Sequence, residues 1–187
     1  MARIPYLFSL PALLALTVAA TLSQSYTLTD DYAIRVSTRG VSGTFGDLRG
    51  TVVFDADDLS AAHFDVSVAT ASIATGNKTQ DKHARGDSWL DAEAHPRIRF
   101  VSTAFERSDE VYPEPAERAK TAGGYTVDGN FTINGETHAE TIPFTFDGET
   151  FVGTVAIARE RYGISGPRLF GGLVGDEVTV EIRVGVK

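Results

Sequence analysis

The sequence predicts an all-β domain of roughly eight antiparallel strands, closed as a barrel or packed as a sandwich. Three observations carry this expectation. Apolar and polar residues alternate in run after run, Asn-Gly and Asp-Gly dipeptides separate some of these runs, and only one short segment has helix signals. A strand with one wet face must turn its apolar face toward a shared interior.

The first segment is of another kind. MARIPYLFSLPALLALTVAATLSQS opens with Arg3, runs apolar from Ile4 to Leu16 and ends in small residues. Val18 and Ala20 give the small-x-small pattern of a signal-peptidase site, and Thr21, Leu22 and Ser23 offer a second. This is the layout of a secretory signal. The expectation is a signal peptide over 1–25, cleaved from a folded domain over 26–187 that works in the periplasm or is secreted. Stable membrane insertion is not expected after cleavage. The alternative is an uncleaved anchor, since the uncharged run to Thr29 is long enough to span a bilayer, although Pro5 and Pro11 interrupt it.

From Tyr26 the period is two. HFDVSVAT sets Phe64, Val66 and Val68 against Asp65 and Ser67, and RIRFVST sets Ile98 and Phe100 against Arg97 and Arg99. YTVDGNFTI sets Tyr125, Val127, Phe131 and Ile133 against Thr126, Asp128, Asn130 and Thr132. EVTVEIRVGV is the cleanest, with Val178, Val180, Ile182 and Val184 on one side. Asn134-Gly135 and Asp147-Gly148 are favoured two-residue hairpin turns, predicting an antiparallel meander around Phe131, Phe144 and Val155. Gly46-Asp47 and Asp57-Asp58 close earlier strands less specifically. Two regions break the alternation. Ser108 to Gly124 is charged and rich in Pro and Gly, and reads as an exposed loop. Asn77 to Pro96 carries one helix, about Thr79 to Arg85, which Gly86 stops before Pro96 restarts an extended chain.

Composition narrows the function. The 187 residues, 42% hydrophobic, suit one domain with a real core. A formal net charge of -8 argues against nucleic acid, whose phosphates need a basic face, and against docking on anionic lipid. With no cysteine, disulfides, thiolate metal sites and thiol catalysis are excluded.

Five stretches, GTFGDLRGTVVFDADDL, ASIATGN, DKHARGDSWLDAEAHPRIRF, VDGNFTINGETH and GGLVGDEVTVEIRV, resemble the YceI-like family in order and spacing. The resemblance runs from about Tyr26 to Val186, and its central block is the most specific part. It implies an extended lipocalin-like antiparallel eight-stranded β-barrel with one short helix at a barrel end. It further implies a periplasmic protein that holds a long isoprenoid chain, a polyprenyl lipid or a quinone tail, inside the barrel; it does not imply a catalytic activity. IARERYGISG departs from the family run of Asn-Arg-x-acid-aromatic-Gly: Arg159, Tyr162 and Gly163 fit, while Ala158 replaces the Asn and Arg161 the acid.

The physical case stands beside the resemblance. A closed eight-stranded barrel is just wide enough to be filled by side chains or to hold one small ligand. A hydrocarbon chain entering a dry tunnel gains roughly 25 cal/mol per Å² buried, with no specific hydrogen bond required. Candidate wall residues are Phe54, Phe64, Phe100, Phe131, Phe144, Phe151 and Ile182, and Gly129 and Gly153 would leave space between them. Trp89 and Leu90 are candidate lid residues, and Phe170 a rim residue. Arg159, with Arg161 and Arg168, and Tyr162 are candidates near a polar head group. The plainer reading is that the rings fill a core and the arginines are ordinary surface residues. No cofactor beyond the bound isoprenoid lipid or quinone is expected, and the working unit is a monomer or homodimer.

HARGDSWLDAEAHPRIRF, with two histidines and several carboxylates, raises a metal or acid–base centre. His83 and His95 lack metal-ligand spacing and are separated by Gly86 and a chain reversal. The stretch therefore reads as architecture, a helix crossing a barrel end with Trp89 and Leu90 tucked inward. Two rivals stay open: an enzyme using the His83/His95 segment, and an extracytoplasmic interaction domain with a filled core that binds no lipid.

Overall fold

The computed structural model describes residues 24–108, 123–165 and 175–187. Among these residues ten strands form one antiparallel sheet: β1 (Ser25–Tyr26), β2 (Leu28–Thr38), β3 (Val41–Phe45), β4 (Arg49–Val53), β5 (His63–Ala69), β6 (Arg97–Ser108), β7 (Gly123–Ile133), β8 (Glu136–Phe146), β9 (Thr150–Ala158) and β10 (Glu177–Val186). One helix, α1 (Lys78–Ala84), lies between β5 and β6. The order across the sheet is β1-β4-β5-β6-β7-β8-β9-β10-β2-β3.

The expected count of eight thus becomes ten, because two long strand paths are each interrupted. Only Thr27 separates β1 from β2, and only Gly46 to Leu48 separate β3 from β4. Ile34 of β2 faces Phe45 of β3, and Tyr26 of β1 faces Val52 of β4. The same long hairpin resumes below the break, one residue out of step. Its first path also pairs with β10, and Thr27 exchanges backbone hydrogen bonds with Lys187 at 2.8 and 3.0 Å. The sheet therefore curls back on itself at this seam. A barrel forms, not a sandwich.

Turn chemistry accounts for three of the reversals. Asn134 and Gly135 have φ of 51° and 81° and join Ile133 to its partner Glu136, the mirror-image turn that matches strand twist. Asp147-Gly148 makes a wider loop than expected: Phe146 faces Phe151, and the Asp147 carboxylate accepts from the backbone N–H of Glu149 and Thr150 at 3.0 and 2.7 Å. Gly46-Asp47 closes no hairpin. It interrupts one path, and Ser72 Oγ accepts the stranded Gly46 N–H at 2.7 Å. The reversal lies earlier, at Arg39-Gly40, with Thr38 facing Val41.

α1 begins where Asn77 Oδ1 accepts from the N–H groups of Thr79 and Gln80, one residue before the expected start. In β6 a register shift between Ser102 and Ala104 inverts the alternation. Phe100 and Phe105 consequently face the same interior although their numbers differ in phase with the strand.

The interior divides along the barrel axis. Toward the β8–β9 loop, Phe54 is fully buried (0% exposed). It is ringed by Tyr125, Phe144, Phe146, Phe151, Phe64 and Phe105, with ring centroids 5.0 to 6.1 Å away. Most of these pairs are edge-on or tilted, the arrangement ring quadrupoles favour. Toward α1 the inward residues are mostly aliphatic, with the rings of Phe100 and Phe131 among them.

Candidate functional site

Above the ring cluster lies a cavity of about 370 Å³. Alternation builds its wall: Val178, Val180, Ile182 and Val184 of β10 all line it, as do Ile34 and Val36 of β2 and Val127, Phe131 and Ile133 of β7. Phe64, Phe144 and Phe151 form the floor, where cavity and ring cluster meet. Gln80, His83 and Ala84 of α1, with Trp89 and Leu90, form the roof, beside Val41 to Gly43 at the start of β3. The lining is hydrocarbon almost throughout, which suits an apolar guest.

Polar bonds at the edge of the cavity fix the roof. Asp81 accepts from Thr75 N and Thr75 Oγ1, each at 2.7 Å. These bonds hold its carboxyl below the ordinary aspartate value. Arg85 Nη2 donates to the Ile73 carbonyl at 2.9 Å. After Gly86 the chain winds tightly, with Trp89 N and Asp91 N both donating to the Gly86 carbonyl at 3.0 Å. That winding turns Trp89 and Leu90 under α1.

Nine of the candidate residues line this cavity: Phe64, Trp89, Leu90, Phe100, Phe131, Phe144, Phe151, Arg159 and Ile182. Phe54 does not; it is the centre of the ring cluster below. Phe170, like Arg168, lies outside the described residues. Gly153 lines the cavity, but Gly129 leaves no room: a Cβ there would stand 2.3 Å from Phe100 Cζ, so that ring already occupies the space. The expectation missed most of the aliphatic wall, including Ile34, Ile98, Ile133 and Ile142. Their signal was the same alternation, passed over in favour of the rings.

The arginine run folds differently from a head-group clamp. Arg159 is 5% exposed, and its guanidinium is committed to the chain around it. Nε donates to the Gly175 carbonyl at 2.9 Å and Nη1 to the carbonyls of Ile164 and Ser165 at 2.6 and 3.1 Å. Nη2 meets Asp176 at 3.2 Å. Arg161 turns outward to Glu140 at 2.6 Å. Tyr162 does not line the cavity; it is fully buried, and its hydroxyl donates to Glu140 at 3.0 Å. Burial first, then that bond to a carboxylate, pushes the Tyr162 hydroxyl far above its ordinary value.

The histidines disperse. His83 lines the cavity roof. The His95 ring covers Gly135, where a Cβ would lie 2.7 Å from its Cε1, and its carbonyl accepts from Thr70 Oγ1 at 2.6 Å. His138 Nε2 meets the Arg161 carbonyl at 2.6 Å, on another strand. Among the described residues no group of three His, Asp or Glu side chains is placed to hold a metal ion. Asp87 accepts from Ser88 Oγ at 3.2 Å and does not cap the Trp89 turn, whose bonds come from backbone carbonyls.

Residues 23–186 match the family model of the YceI-like domain. The chain belongs to the YceI-like family. A UPF0312 protein of Pseudomonas savastanoi pv. phaseolicola is 34% identical over 137 residues, 68% of this chain and 65% of that protein. A UPF0312 protein of Pseudomonas putida is 30% identical over 151 residues, covering 75% and 72%. The chain thus spans about two thirds of the length of the Pseudomonas savastanoi relative. Among solved structures, Burkholderia cenocepacia BcnA is similar with a TM-score of 0.70 at 23% identity, covering 83% of this chain and 96% of that one. A polyisoprenoid binding domain from Saccharophagus degradans, implicated in plant cell wall breakdown, aligns with a TM-score of 0.57 at 11% identity, covering 87% and 93%. At these identities the structural likenesses speak to the fold.

Proposed function

We propose that this protein binds or carries a long isoprenoid-type lipid, a polyprenyl chain or the tail of a quinone, with the hydrocarbon held in the barrel interior. The observation that carries the reading is the apolar cavity of about 370 Å³ beneath α1, within the range of small-ligand sites. Burial of hydrocarbon at roughly 25 cal/mol per Å² supplies binding energy without a polar motif. Family membership and the name of the Saccharophagus degradans domain point the same way. In this reading the protein is a binder and not an enzyme, in keeping with the YceI-like family. It works outside the cytoplasm, periplasmic or secreted, as a monomer or homodimer, and the N-terminal segment 1–25 is its export signal.

The test is organic-solvent extraction of the purified protein followed by mass spectrometry, with uptake of a prenol by the extracted protein as a second measurement. The expected result is a co-purifying prenyl lipid or saturable prenol uptake. A barrel that yields no lipid and takes up no prenol overturns the reading, leaving the interaction-domain rival.

A further inference from the structure

We infer that the ring cluster is a ruler: Phe64, Phe144 and Phe151 stop a prenyl chain after about three isoprene units. The inference rests on the proposed isoprenoid reading and adds the length of chain that the barrel accepts. The floor is closed. Phe64 and Phe151 have ring centroids 5.3 Å apart, and Phe144 lies 5.8 and 6.0 Å from them. Below them Phe54 is within 6.1 Å of all three and leaves no onward passage.

The depth follows from β10. Its lining residues run from Val178, at the end away from the ring cluster, to Val184 at the floor, roughly 20 Å along a strand. With the usual barrel tilt this is about 15 Å along the axis. An extended chain advances about 1.2 Å per backbone bond, so the cavity takes about twelve bonds. Each isoprene unit contributes four, giving three units. A longer chain must leave its remaining units outside the roof or fold back into a volume of about 370 Å³.

The full chain, stripped of lipid, is titrated with neutral prenols of two, three, four and nine isoprene units by displacement of an apolar fluorophore. Affinity is expected to rise on the order of tenfold or more between two and three units, then to level off. Two variants bracket the floor. Phe64→Ala opens it and moves the plateau to a longer prenol. Ile182→Phe, which places a ring in the wall above the floor opposite Gly153, moves it to a shorter one without emptying the core. Affinity that climbs steadily to nine units, or a plateau that Ile182→Phe leaves in place, overturns the ruler while leaving lipid binding intact. Failure of every prenol to bind the wild type sinks the function proposal itself.

Discussion

The two ends of this barrel share the same strands and the same alternation, yet one is filled and the other hollow. On β9 the filled end has Phe151, while the next inward positions are Gly153, Val155 and Ile157. On β8, Phe146 and Phe144 at one end give way to Ile142. Alternation decides which side chains point inward, and their size decides whether they meet. Rings from opposite walls meet around Phe54, whereas a wall made mainly of valines and isoleucines leaves a gap. The lesson is that a hollow needs no special motif, only smaller residues in a repeating pattern.

The largest expected effect tests the filled end. Phe54→Ala should destabilise the fold by about 3–5 kcal/mol, the range for truncating a ring in a close-packed site. Urea denaturation measures it, and a loss below about 1 kcal/mol would erase the contrast between the ends. Arg159→Met should follow, at about 2–4 kcal/mol, because the carbonyls of Ile164, Ser165 and Gly175 lose a charged donor in a mostly buried setting. The same titration measures it, with amide exchange reporting loosening near residues 159–165.

Ile182→Ala probes the hollow end. Its side chain already faces open space, so few contacts are lost and about 1 kcal/mol is expected. A loss as large as that of Phe54→Ala would mean that this end is packed as well. The smallest effect concerns the roof and its acid sensitivity. Bonds from Thr75 depress the Asp81 carboxyl in the folded state. Its contribution is therefore fully present above the ordinary value of 3.8 and is lost as pH falls through the lower folded value. Emission from Trp89, the only tryptophan, should stay constant down to that region and shift below it. In Asp81→Ala the shifted emission should appear already at neutral pH. Identical profiles would show that the bond does not hold the roof.

Much of this architecture was legible before the structure. β5, β7 and β10 sit where alternation placed them, and Asn134-Gly135 turns as its residue types demand. What escaped was non-local. The shift in β6 lets Ser102 Oγ accept the Phe64 N–H at 2.8 Å, an exchange that no window of adjacent residues records. Phe54 follows β4 with the same signature as a wall residue, and only the rings arriving from β5 to β9 make it a plug. Gly129 and Gly153 looked alike, both glycines facing inward. Phe100 fills the space beside one, while the other borders the cavity. Arg159 resembled a surface cation because its acceptors are backbone carbonyls, which every sequence has everywhere.

The seam at Thr27 has a consequence for how such a molecule comes into being. Thr29 Oγ1 bonds to the Gly185 carbonyl across a separation of 156 residues. The first path therefore waits for β10 before its free side is covered, and contacts so distant in the chain are slow to form. During synthesis every earlier strand can zip to its neighbour, but the circle stays broken, with two bare edges open to foreign strands. A ribosome stalled short of β10 would release a sticky sheet in place of a vessel.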